Sequence, residues 1–347
     1  MDIILIPGMW LDASSWERVL PALEVAGHRL HPLTLPGMES RDTDRTDASL
    51  ADLVAAVGAV IDQCPDRVLL VAHSAGGGVA HAAVDAHPER VARVIYIGGF
   101  PAPDGAPVVD GFQVDKGGIP LPEWDEFEEG DLRDLDEGEL DEFRRRAIPA
   151  PAGLTTDAQH LSDERRYEVP VTVICNEFSA GILQSWIEQG MTPVTELARM
   201  HHMEFVDLPT GHWPQFTRPD DLGRLIADRA YEPHIDEHGR VHPPGEGDEA
   251  VIALGFLDYQ RSTLEWKTRG LETDGLNATT AASALSLGGL LKHMAWVEQY
   301  WFSYWLHDRA PTAPWDTVDW SAEPDWEFTS ARDDSPEELL EMWRTAV

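Results

Sequence analysis

The chain has 347 residues, 43% of them hydrophobic, which is enough for one large domain or two ordinary ones and excludes a chain that is disordered throughout. Asp and Glu number 62 against 26 Lys and Arg, a formal net charge of -36, which argues against nucleic-acid and anionic-membrane partners because both need a cationic face. Cys64 and Cys175 are the two cysteines, too few and too far apart for a disulfide framework, and the start MDIILIPG has no basic leader, so a soluble cytoplasmic protein is expected.

In chain order, the apolar run Ile3 to Ile6 stops at Pro7-Gly8 and predicts a strand, and Val19 to Ala26 is amphipathic and predicts a helix. His31 to Leu35 reads as the next strand, Leu50 to Ile61 as a helix, and Arg67 to Ala72 as a fully buried strand ending at Ser74. Ala80 to Ala86 follows as helix, Val91 to Ile97 as strand, Val169 to Cys175 as strand, Ile182 to Glu188 as helix and Met203 to Leu208 as the last strand. Continuous apolar strands alternating with helices predict an α/β fold with a parallel sheet covered on both faces.

Between the strands ending at Ile97 and starting at Val169 lies an insertion, about residues 101–168, far longer than an ordinary connection of a few residues. Its acidic part, Glu123 to Glu142, interleaves Trp124, Phe127, Leu132, Leu135 and Leu140, and is expected to form a helical lid whose charge would disfavour anionic substrates. After Tyr231 the periodicity stops, which places a domain of residues 1–232, a linker at 233–249 and a second domain at 250–347. His234, His238 and His242 in the linker are four apart, but Gly239 and the flanking prolines argue against the helix that would align them on a metal. Val251 to Leu264 and Leu285 to Leu306 read as helices of a small all-α module, the second rich in Trp and Tyr.

The sharpest chemical signal is Ala72-His73-Ser74-Ala75-Gly76 at the end of a strand and the start of a helix, a nucleophile elbow with Ala72 in the usual first Gly position. Small residues must flank the serine, because the turn is strained and its neighbours pack against adjacent backbone. Gly211-His212 follows the last strand, as the order Ser, acid, His requires, so His212 is the candidate base for Ser74. Two peptide N–H groups are needed for an oxyanion, and Met9, after Pro7-Gly8, and Ala75 are the candidates.

Taken together, Ile6-Pro-Gly-Met-Trp-Leu-Asp-Ala-Ser-Ser-Trp16, Ala26-Gly-His28, Leu35-Pro-Gly37, the Ser74 elbow and Thr210-Gly-His212 resemble the α/β-hydrolase fold superfamily. They are most similar to the branch that holds plant methyl esterases and hydroxynitrile lyases, over about residues 1–230. The resemblance implies a three-layer α/β sandwich. In the lyases a Lys follows the catalytic His, whereas Trp213 stands here, which favours ester hydrolysis. The fold usually carries an Asp after the penultimate strand; the loop here reads Cys175-Asn-Glu-Phe-Ser-Ala180, so Glu177 is the candidate acid, with Asp104 as the alternative seat and Asp207 as a structural residue. Trp10, Trp124 and Phe178 are placed by position to line a substrate pocket, as is Met9.

Gly255-Phe-Leu-Asp-Tyr-Gln260, Ser286-Leu-Gly-Gly-Leu-Leu-Lys-His293 and Glu298-Gln-Tyr-Trp-Phe302 resemble a DinB-like four-helix bundle, a group that includes mycothiol-dependent transferases. The family uses one His on the second helix and an H-x-x-x-H pair on the fourth to bind a metal; only His293 is matched, so the module reads as an incomplete bundle suited to packing or homo-oligomerisation, with no metal site. The expectation is a serine esterase that acts on a small to medium uncharged ester without a cofactor. Its rivals are a non-catalytic hydrolase-fold binding protein and a metal-dependent thiol transferase run by the helical module.

Overall fold

Every residue of β1 (Asp2–Ile6) is buried, and its side chains divide by parity between two cores. Ile3 and Leu5 pack with Trp16, Leu23, Leu222 and Ile226 on one face, while Ile4 and Ile6 pack with Leu53, Val57 and Val79 on the other. Burial of each of these side chains stabilises the fold by about 1.5–3 kcal/mol, so both faces of the sheet must be covered. These relations come from a computed structural model, which describes residues 1–230, 236–243, 249–279 and 285–346.

The elements of the first unit, Met1–Glu232, continue as α1 (Leu20–Val25), β2 (Arg29–Pro32), α2 (Leu50–Gln63), β3 (Val68–His73), α3 (Gly76–Ala86) and β4 (Val91–Ile97). The insertion contributes β5 (Gly118–Ile119), α4 (Glu137–Arg146), β6 (Ala150–Pro151) and α5 (Gly153–Thr156). Then come β7 (Val171–Cys175), α6 (Ala180–Glu188), β8 (Met203–Asp207), α7 (Pro214–Thr217) and α8 (Pro219–Ala227). The main sheet has six parallel strands in the order β2-β1-β3-β4-β7-β8, so the loops after β1, β3, β7 and β8 leave on one edge, and the winding direction reverses between β1 and β3.

Two expectations are adjusted. The strand expected over His31 to Leu35 leaves the sheet at Pro32, because Leu33 N–H makes the final bond to Leu5 O and Pro36-Gly37 turns the chain away. The insertion is less helical than its apolar spacing implies: Pro120, Pro122 and Gly130 confine its acidic part to a short 3-10 turn at Trp124–Glu126 and to α4, which starts at a capping box of Asp136 and Glu139. The rest is turns around the antiparallel β5-β6 ribbon.

The second unit, Pro233–Val347, contains α9 (Glu249–Thr268), α10 (Thr273–Asn277), α11 (Leu287–Glu298), α12 (Trp326–Ser330) and α13 (Pro336–Ala346). Leu276, Leu291, Ala331, Leu339 and Trp343 form its core. The helix expected to run to Leu306 widens into π winding over Gln299–Leu306, where Trp301 and Trp305 are 58% and 62% exposed. Of the linker expected at 233–249, residues 233–235 and 244–248 lie outside the described residues, His234 among them; His238 stacks on Trp266 and His242 lies against Tyr259. Among the described residues no helix is long and apolar enough to cross a membrane.

Candidate active site

Ser74 sits immediately past β3 with φ 53°, a left-handed conformation that costs a non-glycine residue about 1–3 kcal/mol and is held only because its surroundings over-determine it. Its N–H donates to Ile97 O at 2.8 Å and its carbonyl accepts from Gly77 N–H at 2.9 Å. The surrounding glycines are required by contact. A Cβ on Gly8 would meet the Ser74 Cβ at 2.8 Å, one on Gly76 would meet Pro7 O at 2.6 Å, and one on Gly99 would meet Ser74 O at 2.4 Å. The loop after β1 therefore lies directly against the serine.

His212 Nε2 is 2.9 Å from Ser74 Oγ, and His212 Nδ1 is 3.0 Å from Glu177 Oε1. An ionised carboxylate only accepts, so Nδ1–H donates to Glu177 and Nε2 is left to accept the Ser74 hydroxyl proton. Burial works to raise the Glu177 carboxyl, but the hydrogen bond and charge of His212, with help from Asp131 and Arg133, outweigh it and hold the group below the ordinary glutamate value. Asp104 is engaged elsewhere, accepting from Leu161 N–H at 2.8 Å; Asp207 accepts from Ala180 N–H at 2.7 Å, and Ser179 caps α6.

The loop that carries His212 is fixed from three sides. Asn176 Nδ2 donates to Gly211 O at 2.8 Å, His73 Nε2–H donates to His212 O at 2.8 Å, and the His212 N–H donates to Asp131 O at 2.8 Å. Burial pushes His73 down to about 3, so it stays neutral, with Gln215 Nε2 donating to its Nδ1 at 3.3 Å. Thr210 Oγ1 also donates to Asp134 Oδ2 at 2.9 Å. Sequence reasoning missed Asp131 altogether: burial, then the hydrogen bond and charge of Glu177, push its carboxyl up to about 6. No local pattern marks it, because its partners are 46 and 81 positions away along the chain, counting from Asp131 to Glu177 and His212.

Neither the Met9 nor the Ala75 peptide N–H has a protein acceptor among the described residues, and both lie in the turns that flank Ser74. The three aromatic candidates are not gathered into one pocket. Trp10 is buried with φ 66°, donates from Nε1 to Ile119 O at 3.1 Å, and meets Phe127 edge-on at 5.9 Å. Trp124 lies in a cluster with Phe127, Phe143 and Trp213. Phe178 pairs with Trp186 at 4.7 Å and is 38% exposed. A cavity of about 370 Å³ lies between the segment after β1 and α4, with Trp10, Leu135, Phe143 and Phe216 in its wall; Ser74 is not among its lining residues.

In the helical unit, His293 Nδ1 is 2.9 Å from Glu327 Oε1 and its ring stacks on Phe328 at 4.5 Å. Among the described residues no three potential ligands converge there, so these residues do not fit a three-ligand metal.

The comparisons bear on the fold. Residues 3–225 match the alpha/beta hydrolase family, and the chain belongs to that family; residues 253–347 match the mycothiol-S-transferase family, in line with the DinB-like resemblance of the helical unit. Methylesterase 9 of Arabidopsis thaliana is 26% identical over 63% of this chain and 94% of its own length. The pimeloyl-[acyl-carrier protein] methyl ester esterase of Edwardsiella ictaluri is 38% identical, but the match spans only 29% of this chain and 37% of the relative. Among solved structures, an extracellular alpha/beta-hydrolase from a Paenibacillus species superposes with a TM-score of 0.54 at 20% identity, covering 66% of this chain and 98% of that one, and carries the same fold.

Proposed function

We propose that the first unit is a serine esterase that transfers the acyl group of a small to medium uncharged ester to water through an acyl-enzyme on Ser74. The observation that carries this reading is the continuous relay Ser74 Oγ, His212, Glu177, with both hydrogen bonds at or below 3.0 Å. His212 Nε2 takes the hydroxyl proton as Oγ attacks the ester carbonyl carbon, and the oxyanion that forms is received by the N–H groups of Met9 and Ala75. Collapse breaks the bond to the alcohol, which leaves with the proton from His212. Water then attacks the acyl carbon, again losing its proton to His212, and Ser74 is released with the acid. Glu177 stays ionised throughout and holds the imidazole in the required tautomer.

In the same reading the insertion is the lid, with Trp10 and Trp124 as its aromatic wall and Phe178 at the outer rim. The names of the methylesterase and methyl ester esterase relatives support an ester substrate. The excess of carboxylates in the insertion favours neutral substrates over anionic ones.

The test is hydrolysis of p-nitrophenyl esters from acetate to octanoate by the wild type, Ser74→Ala and Glu177→Gln. Loss in Ser74→Ala together with a drop of about 10²-fold or more in Glu177→Gln is expected. Wild-type rates that do not exceed those of Ser74→Ala on any chain length would remove the esterase reading.

A further inference from the structure

Three donors of different chemistry meet at the edge of the sheet opposite Ser74. Asp2 is the first residue of β1, His31 lies on the neighbouring β2, and Cys64 is the C-cap of α2. Since β1 and β3 are parallel and Asp2 is in register with Val68 at the start of β3, the whole length of the strands separates this cluster from the elbow. His31 Nε2 is 2.8 Å from Asp2 Oδ1 and 3.9 Å from Cys64 Sγ, and one donor atom from each residue lies within 4.8 Å of the others.

Asp2 and Cys64 are buried, while the His31 side chain is 34% exposed, so the cluster is built on rigid elements and still open to solvent on one side. Arg29 binds Asp2 Oδ2 at 2.5 Å and leaves Oδ1 turned toward His31, the arrangement in which an outer partner orients a ligating carboxylate. The last turn of α2 points its carbonyl end at the same place: the Cys64 thiol donates to Val60 O at 3.2 Å, and the negative end of a helix dipole favours a cation.

We propose that Asp2, His31 and Cys64 bind a divalent cation of the zinc class, with solvent as the fourth ligand. One oxygen, one imidazole nitrogen and one sulfur suit zinc or cobalt, whereas magnesium and calcium take oxygen donors almost exclusively. Around a tetrahedral ion with bonds of about 2.0–2.3 Å the donors stand about 3.3–3.7 Å apart. His31 and Asp2 therefore part by a few tenths of an ångström, and Cys64 closes on His31 by a similar amount. Binding forms the metal–sulfur bond and releases the thiol proton to solvent, so it strengthens as pH rises. The ion ties β1, β2 and α2 together and takes no part in the chemistry at Ser74.

The experiment is titration of the tag-free, chelator-treated full chain with cobalt(II), read by the near-ultraviolet thiolate-to-cobalt absorption, alongside Cys64→Ser, His31→Gln and Cys175→Ser. The wild type and Cys175→Ser should saturate at one thiolate-bound cobalt per chain. Cys64→Ser should lose the band, and His31→Gln should bind at least about tenfold more weakly. Zinc(II) should raise the wild-type Tm and leave that of Cys64→Ser unchanged, a readout that also controls for folding of the variants. A wild type without the band, or a band that survives in Cys64→Ser, overturns the proposal. Cobalt binding through histidines alone, as at the linker, gives no thiolate band and counts against it as well.

Discussion

The backbone carbonyl of Asp131 accepts the peptide N–H of His212 at 2.8 Å, so a residue of the insertion sets the main chain of the histidine that faces Ser74. The same residue turns its carboxyl toward Glu177. Two neighbouring carboxyls resist ionising together, and here the burden falls on Asp131, which is pushed up to about 6, while Glu177 is held down by His212.

Asp131 is raised in the folded state, so its stabilisation is complete below its unfolded value near 4 and is lost as pH climbs through about 6. Asp131→Asn removes this titration and keeps an amide that can donate to Glu177. The variant should match the wild type in Tm near pH 4 and exceed it at pH 8 by about 2–4 °C, the size of a change near 1 kcal/mol in a unit this large. Parallel Tm curves from pH 4 to pH 8 would contradict the assignment.

Gly8 touches the serine through space that no side chain can share, with Ser74 Cβ and His73 Nδ1 both within 2.8 Å of where its Cβ would stand. Gly8→Ala should leave a folded protein with kcat lowered about 10²-fold, because displacement of a reacting group by about 1 Å costs that much. Ester turnover beside a circular dichroism spectrum separates the effect from unfolding. Unchanged kcat would mean that the loop after β1 is not pressed against the nucleophile.

His73 is buried and neutral, and its Nε2–H satisfies His212 O. His73→Leu leaves that carbonyl without its partner, a loss of about 1–3 kcal/mol in urea unfolding. An activity profile taken above about pH 4 should not report His73, since burial holds it down to about 3.

Glu196 is buried among Tyr167 Oη at 2.8 Å, His81 Nε2 at 3.1 Å and the Arg166 guanidinium at 3.5 Å. Although burial opposes ionisation, bonds to His81 and Tyr167 and the nearby charges bring it down to about 2, so its contribution is present at neutral pH and fades only as pH falls from about 4.5 toward 2. Glu196→Gln removes one of the two buried carboxylates that face Arg166 and leaves Tyr167 and His81 with a neutral partner, and should cost about 1–3 kcal/mol at pH 7. A cost below about 1 kcal/mol would show that Asp85, 3.1 Å from Arg166, suffices as its partner.

Ser74 and His212 were legible in the sequence because each is marked locally: a buried apolar run that ends in small residues, and a Gly-His pair just after the final strand. Glu177 was legible by position, as the carboxylate in the loop after the penultimate strand, even though the fold's usual Asp is missing. The insertion was not. Its apolar spacing suits a helix, but Pro120, Pro122 and Gly130 punctuate it, and the contacts that matter run from Asp131 to residues with which it shares no periodicity. The aromatic candidates show the same limit: composition says that Trp10, Trp124 and Phe178 are available, while only long-range packing decides that Trp10 and Trp124 both meet Phe127 and that Phe178 joins Trp186.

Trp10 follows the amide assigned to the oxyanion, holds φ 66°, and is bonded on both sides to the insertion, through Nε1 to Ile119 O and through its carbonyl to Ile148 N–H. The ribbon strand at Ile119 and the Met9 amide are thus one mechanical part. Under the proposed esterase reading, remodelling the insertion to admit a different substrate would also move the Met9 amide, so a change of specificity would carry a change of rate with it.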